Sequence, residues 1–272
     1  MPPLPVLSGA LATSPSDLLR AFRRLMLHRA RQLGEAVTLP ALPNVYAVAA
    51  PDLAHVGDAN CVLDAETGDD AVIAAVEEHY RTLGVAAPQW MASCLTGQTI
   101  ASKQSEILLN RNYAGRVATI HHLLQAKTQL PGAPPAVSIL PARAAQLQLR
   151  ALEERIASWA GRTAAEHAEA SMRRLDDPHL DALVALRGGE AVARIGVLSV
   201  GDTGLIADMH VDPICRGQGI GQTLLGRALE ICGRSAFRHV FTFAPQCTDH
   251  FYRSFGFEAL GEVTFWERNQ YG

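Results

Sequence analysis

The sequence predicts an α/β protein in the α+β sense, with a mixed, mostly antiparallel sheet flanked by helices and the pattern laid down twice. Three observations carry this. The run "HLDALVALRGGEAVARIGVLSVGDTGLIADMHV" alternates β-rich stretches with the turn signals "RGGE" and "GDTG", which gives a three-strand antiparallel meander. It leads into "MHVDPICRGQGIGQTLL", Met209 to Leu225, a strand, a glycine-rich loop and an amphipathic helix in immediate succession. Finally, "LLNRNYAGRVATIHHLL" parallels "FYRSFGFEALGEVTFWE": Leu108 falls opposite Tyr252 and Tyr113 opposite Phe257, each within a helix-to-strand passage, as expected of a diverged duplication.

The elements follow in order. "SPSD" announces the first helix, with Ser14 or Ser16 as its cap, and Arg20, Arg23, Arg24, Arg29 and Arg31 are read as its solvated face. "NVYAVAA" and "ANCVLDAE" are strands, "DDAVIAAVEEHYRTLG" a helix and "QWMAS" a short strand, after which a helix and a strand close the first half. "QLPGAPPAV", Gln129 to Val137, breaks any regular element and reads as a linker, so domains are expected at 1–130 and 137–272. In the second half "AVSILPA" is a strand. "AAQLQLRALEERIASWAG" is a helix with Leu147, Leu149, Leu152, Ile156 and Trp159 at near-helical spacing, and another helix spans about Thr163 to Leu175. After the meander and the loop, Leu224, Leu225, Ala228, Leu229 and Cys232 share one helical face, "HVFTFA" is a strand, "TDHFYRSFGF" a short helix ending at Gly256, and "EVTFWE" the last strand.

Composition narrows the class. At 272 residues and 48% hydrophobic the chain can bury a large core, and its formal charge of -3 supplies no basic excess for a nucleic-acid or membrane partner. Cys61, Cys94, Cys215, Cys232 and Cys247 are odd in number and lack C-x-x-C spacing, which argues against a disulfide framework or a metal site. No stretch is long and apolar enough for a membrane span, and "MPPLPVLSGALATSPSD" lacks the basic start of a signal peptide, so a reducing cytoplasm is the expected compartment.

A glycine-rich turn that opens a helix gathers backbone N–H groups at the positive end of the helix dipole and so suits an anion. Here the dinucleotide fingerprint fails, because Gln222 stands where the third glycine of G-x-G-x-x-G belongs, and the P-loop fails for want of a Lys-Ser or Lys-Thr. What remains is Arg216-Gly217-Gln218-Gly219-Ile220-Gly221, of form R-x-x-G-x-G, or else an ordinary glycine-rich turn.

In this context the segment from Val137 to Trp266 resembles the GNAT superfamily of acetyl-CoA-dependent N-acetyltransferases, with "HVDPICRGQGIGQTLL" the most specific stretch and "HFYRSFGF" the second. The resemblance implies a GNAT-type sheet, in tandem if the first half is a degenerate copy without the coenzyme loop. It implies acetyl-CoA as co-substrate, its pyrophosphate on the backbone amides of Arg216, Gly217, Gln218, Gly219, Ile220 and Gly221 with Gln222 close by. It also implies a splayed strand offering main-chain groups of Met209, His210 and Val211 to the pantetheine arm. Tyr252 matches the family's general acid near the coenzyme sulfur, the alternative being a core tyrosine beside Phe251 and Phe255; the asparagine often found about seven residues earlier is missing from "APQCTDHFY". Asp208 and His210 are the candidate bases; alternation puts both on one face of the strand, and a bulge of the kind common in this family would decide which. His121 and His122 are read as packing or surface residues, and Glu166 and His167 as weak acceptor-side candidates.

The expected activity is direct transfer of an acetyl group to the primary amine of a small-molecule or peptide acceptor, by a monomer or homodimer without a metal. A non-catalytic acyl-CoA sensor or a structural interaction module is the alternative.

Overall fold

The computed structural model describes residues 13–100, 102–124, 137–159 and 163–269; most of the linker lies outside them. The chain forms two compact units: one of Pro15–Ile120, Ala244–Cys247 and the stretch from Ala259 onward, the other of His121–Phe243 and Thr248–Glu258 together with Thr13 and Ser14.

The first unit runs through α1 (Pro15–Arg31), β1 (Glu35–Val37), β2 (Tyr46–Ala49), β3 (Cys61–Leu63), α2 (Asp70–Thr82), β4 (Gln89–Leu95), α3 (Ser102–Asn110) and β5 (Tyr113–Leu123). The helices bury the faces their periodicity selects: Leu18, Phe22 and Leu25 on α1, and Ile73, Val76 and Tyr80 on α2. β1, β2 and β3 pair antiparallel, whereas β3 and β4 pair parallel because α2 crosses between them. Trp90, Tyr113, Leu108 and Trp266 complete this core. The arginines of α1 do not form one solvated face. Arg20, Arg24 and Arg31 are exposed, but Arg29 is buried and lies 3.3 Å from Asp58, and Arg23 donates to the Ser93 hydroxyl at 2.9 Å. A run of arginines says nothing of the partners, Asp58 and Ser93, that the fold brings to two of them.

The second unit holds β6 (Ser138–Pro141), α4 (Gln146–Trp159), α5 (Ala164–Arg174), β7 (Leu180–Arg187), β8 (Glu190–Val200), β9 (Thr203–Val211), α6 (Ile220–Arg234), β10 (His239–Ala244) and α7 (Asp249–Ser254), and β11 (Phe257–Arg268) begins in it. β6 to β9 form an antiparallel meander and β9 pairs parallel with β10 across α6. The sheet is thus mixed and mostly antiparallel, with helices on it, as the sequence predicts.

The repeat is structural as well. The passage β3–α2–β4–α3–β5 has the form of β9–α6–β10–α7–β11. α3 ends at Asn110 and β5 starts at Tyr113, where α7 ends at Ser254 and β11 starts at Phe257. Between them, Asn112 at φ 66° and Gly256 at φ 96° make the same left-handed stop.

The folded units nevertheless depart from a division at the linker. From Ala259 onward β11 belongs with the first unit, paired antiparallel with β4 from Gly261↔Leu95 to Trp266↔Trp90, and residues 121–123 of β5 belong with the second. Gly261 permits the pairing, since a Cβ there would lie 2.0 Å from the Cys94 carbonyl oxygen. Hydropathy fixes that a strand exists but leaves its neighbour open. Among the described residues no helix is long and apolar enough to cross a membrane.

Candidate coenzyme and acyl-transfer site

The site grows from two irregularities of β9. The first is its short partnership with β10, which pairs from Thr203↔His239 to Ile206↔Thr242 and stops, although both strands continue. Beyond Ile206 the two edges part. The second is a bulge on the other side: Gly196 of β8 opposes Ala207 while Arg194 opposes His210, so Asp208 and Met209 share one partner position. Asp208 takes φ 57°, the left-handed conformation that aspartate tolerates. The extra residue flips the phase of the strand. Met209 and Val211 turn toward α6, while Asp208 and His210 turn toward α4 and α5. Asp212 donates its N–H to the Val192 carbonyl at 2.8 Å, which sets the phase of hydrogen bonding as well. The main-chain groups of Val211 therefore point away from β8 into the gap, where its carbonyl accepts Arg216 Nε at 3.0 Å.

After β9, Asp212 accepts from the Ile214 N–H at 3.2 Å and closes a tight turn over Pro213–Cys215. Gly217 at φ 73° and Gly219 at φ 77° then carry the chain into α6 in conformations that other residues resist. Gly219 is the N-cap and offers no side-chain acceptor, and no acidic residue stands in the first turn. The N–H groups of Ile220, Gly221 and Gln222 thus form an uncapped helix start. Gly221 has a different reason to be glycine: its Cβ would lie 2.9 Å from Met209 Cε and 3.4 Å from Val211 Cγ2, so it seats α6 on β9. The side chain of Gln218 accepts Arg187 Nη2 at 2.6 Å, and Gln222 is exposed. Arg187 on β7 and Arg155 on α4, the latter 3.9 Å from Asp212, add cations around the loop. Neither is signalled by the sequence, since both are far along the chain from it.

Tyr252 lies against the same gap. It is buried, its hydroxyl donates to Met209 Sδ at 3.7 Å, and its ring meets Phe251 and Phe257 edge-on. Burial pushes its phenol above the ordinary range, only partly offset by a hydrogen bond with the side chain of Thr242, the last β10 residue paired with β9.

Residues 178–259, from the start of the meander to the start of β11, match the model of the acetyltransferase (GNAT) domain. The chain carries a GNAT domain. Among solved structures, a conserved protein of Staphylococcus epidermidis titled as functionally unknown is 14% identical with TM-score 0.63, covering 87% of this chain and 94% of that one. A GCN5-related N-acetyltransferase from Kribbella flavida is 13% identical with TM-score 0.57, covering 90% and 93%. A tandem GNAT protein from the clavulanic acid biosynthesis pathway is 14% identical with TM-score 0.50, covering 94% and 96%. At these identities the likeness is one of fold. No curated protein matches the chain.

On the α4 side of the GNAT domain, Asp208 Oδ1 lies 3.8 Å from Arg194 Nη1, and Arg194 Nε lies 2.7 Å from Glu153. The three line a cavity of about 20 Å³ together with Ser171. Burial raises the carboxyl of Glu153; Arg194 opposes the shift and Asp208 adds to it. His210 stacks on Trp159, with ring centroids 5.8 Å apart. Burial, then Arg194 and Arg216, hold His210 down to about 4, so its imidazole is neutral at pH 7. Glu166 and His167 on α5 do not line the cavity at Asp208. Of the two histidines of β5, His122 does pack, 3.2 Å from His239 Nδ1. His121 instead reaches Asp249 and the ring of Tyr252.

Among the described residues of the first unit, the corresponding positions are occupied differently. Asp69 caps α2 by accepting from the Ala71 N–H at 2.9 Å, and Asp70 adds a second carboxylate at the helix start. Where β3 and β4 would part, Asp64 accepts from the Ser93 N–H at 2.9 Å and its hydroxyl at 2.7 Å, with Arg23 alongside.

Proposed function

We propose that the GNAT domain binds acetyl-CoA at the parted β9–β10 edge and transfers its acetyl group directly to the primary amine of a small-molecule or peptide acceptor. The observation that carries this reading is the joining of a free strand edge to an uncapped, glycine-started helix. A diphosphate needs several converging N–H donors without competing carboxylates, and the Gly219–Gln222 turn supplies them with Arg155, Arg187 and Arg216 nearby. Bound acetyl-CoA supplies an acetyl group activated as a thioester.

The remaining chemistry falls to this chain's residues. The N–H of Val211 points into the gap, fixed before any ligand arrives, where a hydrogen-bond donor can stabilise developing negative charge. The hydroxyl of Tyr252, held beside Met209 and Thr242, is placed to hydrogen-bond a departing thiolate. Because its phenol sits above the ordinary range, proton transfer is late and follows hydrogen bonding. On the α4 side the acceptor must shed a proton. An alkyl ammonium with pKa near 10.4 is neutral in only about one molecule in a few thousand at pH 7. Asp208, turned to that side by its bulge, and the neutral imidazole of His210 are the groups that receive the proton, directly or through water.

The test is release of free thiol from acetyl-CoA by the purified chain with spermidine, glucosamine, L-lysine and a peptide bearing a free N-terminus. Turnover with at least one amine, abolished when the amine is acetylated beforehand, is expected. Acetyl-CoA binding without turnover on any amine would replace this reading with that of a coenzyme sensor.

A further inference from the structure

Nothing in the proposed transfer uses His121, yet the second unit buries it fully, at 0% exposure, beside the acid. Its Nε2 lies 3.2 Å from Asp249 Oδ1, and its ring centroid lies 5.3 Å from that of Tyr252 with the planes tilted by 34°. Asp249 opens α7 and precedes Tyr252 by one helical turn, so the two share the face that His121 meets. α7 has only six residues. A helix that short has little stability of its own, and ties to its surroundings must fix where its tyrosine points. A buried imidazole costs free energy unless a polar partner answers it. Ring packing alone does not call for one here, because the equivalent position of the repeated β11 is Phe265.

We propose that His121 is a positioning residue for Tyr252, acting through Asp249: the imidazole, 3.2 Å from the Asp249 carboxylate, ties down the start of α7 by this polar contact and holds the Tyr252 hydroxyl at the parted edge. The proposal rests on the reading of Tyr252 as the acid. His121 lies in the end of β5, residues 121–123, that belongs with the second unit.

The experiment uses the full chain with His121→Phe, His121→Gln and Asp249→Asn, each alone and combined with Tyr252→Phe. Thiol release from acetyl-CoA is followed with whichever amine of the panel is turned over fastest. His121→Phe and Asp249→Asn should each lower kcat about 10- to 100-fold, as misplacing a catalytic group does, with KM for acetyl-CoA changed less than about 2-fold. His121→Gln, which keeps a polar group facing the Asp249 carboxylate, should recover most of the loss. In the Tyr252→Phe background neither change should lower kcat further, whereas a merely structural role would multiply the losses. Asp249 sits at a helix end, so Asp249→Asn keeps the test alive if His121→Phe fails to fold. A second readout needs no acceptor: in protein labelled with 13Cζ-tyrosine, His121→Phe and Asp249→Asn should shift or broaden the Tyr252 resonance, identified by its loss in Tyr252→Phe. Full kcat and an unmoved resonance in both variants, alongside an impaired Tyr252→Phe, overturn the proposal alone. Full kcat in Tyr252→Phe overturns the underlying assignment instead.

Discussion

Replacing Gly219 separates the conformational role of the loop from its binding role. Gly219 sits at φ 77° and ψ -3° as the N-cap of α6. A Cβ in this left-handed region costs about 1–2 kcal/mol, so Gly219→Ala should lower Tm by about 2–8 °C in a protein of this size. A side chain at this N-cap, next to the first-turn N–H groups, should also weaken acetyl-CoA binding at least about 10-fold, or about 1.4 kcal/mol. Two companions make the outcome decisive. Gly201→Ala, at φ 60° with nothing within 4 Å of its Cβ, carries the same strain in the β8–β9 turn and should leave affinity unchanged. Gly219→Asn, whose residue tolerates the left-handed region, should regain most of the stability yet still bind weakly. Differential scanning calorimetry and isothermal titration with acetyl-CoA give both quantities. A folded Gly219→Asn with undiminished affinity would refute the assignment of the diphosphate to this turn.

Three further outcomes follow from the same geometry. Tyr252→Phe keeps the ring contacts with Phe251 and Phe257 and should preserve coenzyme affinity while kcat falls roughly 10- to 1,000-fold; an unchanged kcat makes Tyr252 a core residue only. Titration should find one acetyl-CoA site per chain, because Asp69 and Asp70 guard the start of α2 and Asp64 ties β3 to β4; two equivalent sites would contradict that account. His122 and His210 are both held down to about 4 by burial, against about 6.5 in the unfolded chain, so the unfolded state binds more protons between those values. Stability should therefore be full above about pH 6.5, fall as pH drops toward 4, and fall less in His122→Phe; equal urea midpoints at pH 7.5 and pH 5 would contradict it.

The repeat was legible because Tyr113 and Phe257 start strands after matched helix ends, and such punctuation survives divergence. The loop was legible because Gly217 and Gly219 are local necessities of φ. Gly221 was only half legible: its small size reflects contact with Met209, which the chain reaches by packing rather than by proximity in sequence. Alternation placed Asp208 and His210 together, but the side they face depends on a bulge that no residue pattern in β9 announces. Arg155 and Arg187 at the loop, Glu153 beside Asp208, and His121 beside Tyr252 were invisible as site residues for a common reason. Each comes from a distant element, and their roles arise only when tertiary contacts bring unlike parts of the chain to one place. The same holds for β11, whose hydropathy shows a strand but not that its partner is β4.

The most direct measurement is a crystal structure of the chain with coenzyme A. One molecule per chain is expected, its diphosphate within hydrogen-bonding distance, about 3 Å, of the N–H groups of the Gly219–Gln222 turn, its pantetheine along the free edge of β9 at Val211, and its sulfur beside the Tyr252 hydroxyl. A coenzyme seated at β3–α2, or one at α6 whose sulfur lies away from Tyr252, would contradict this.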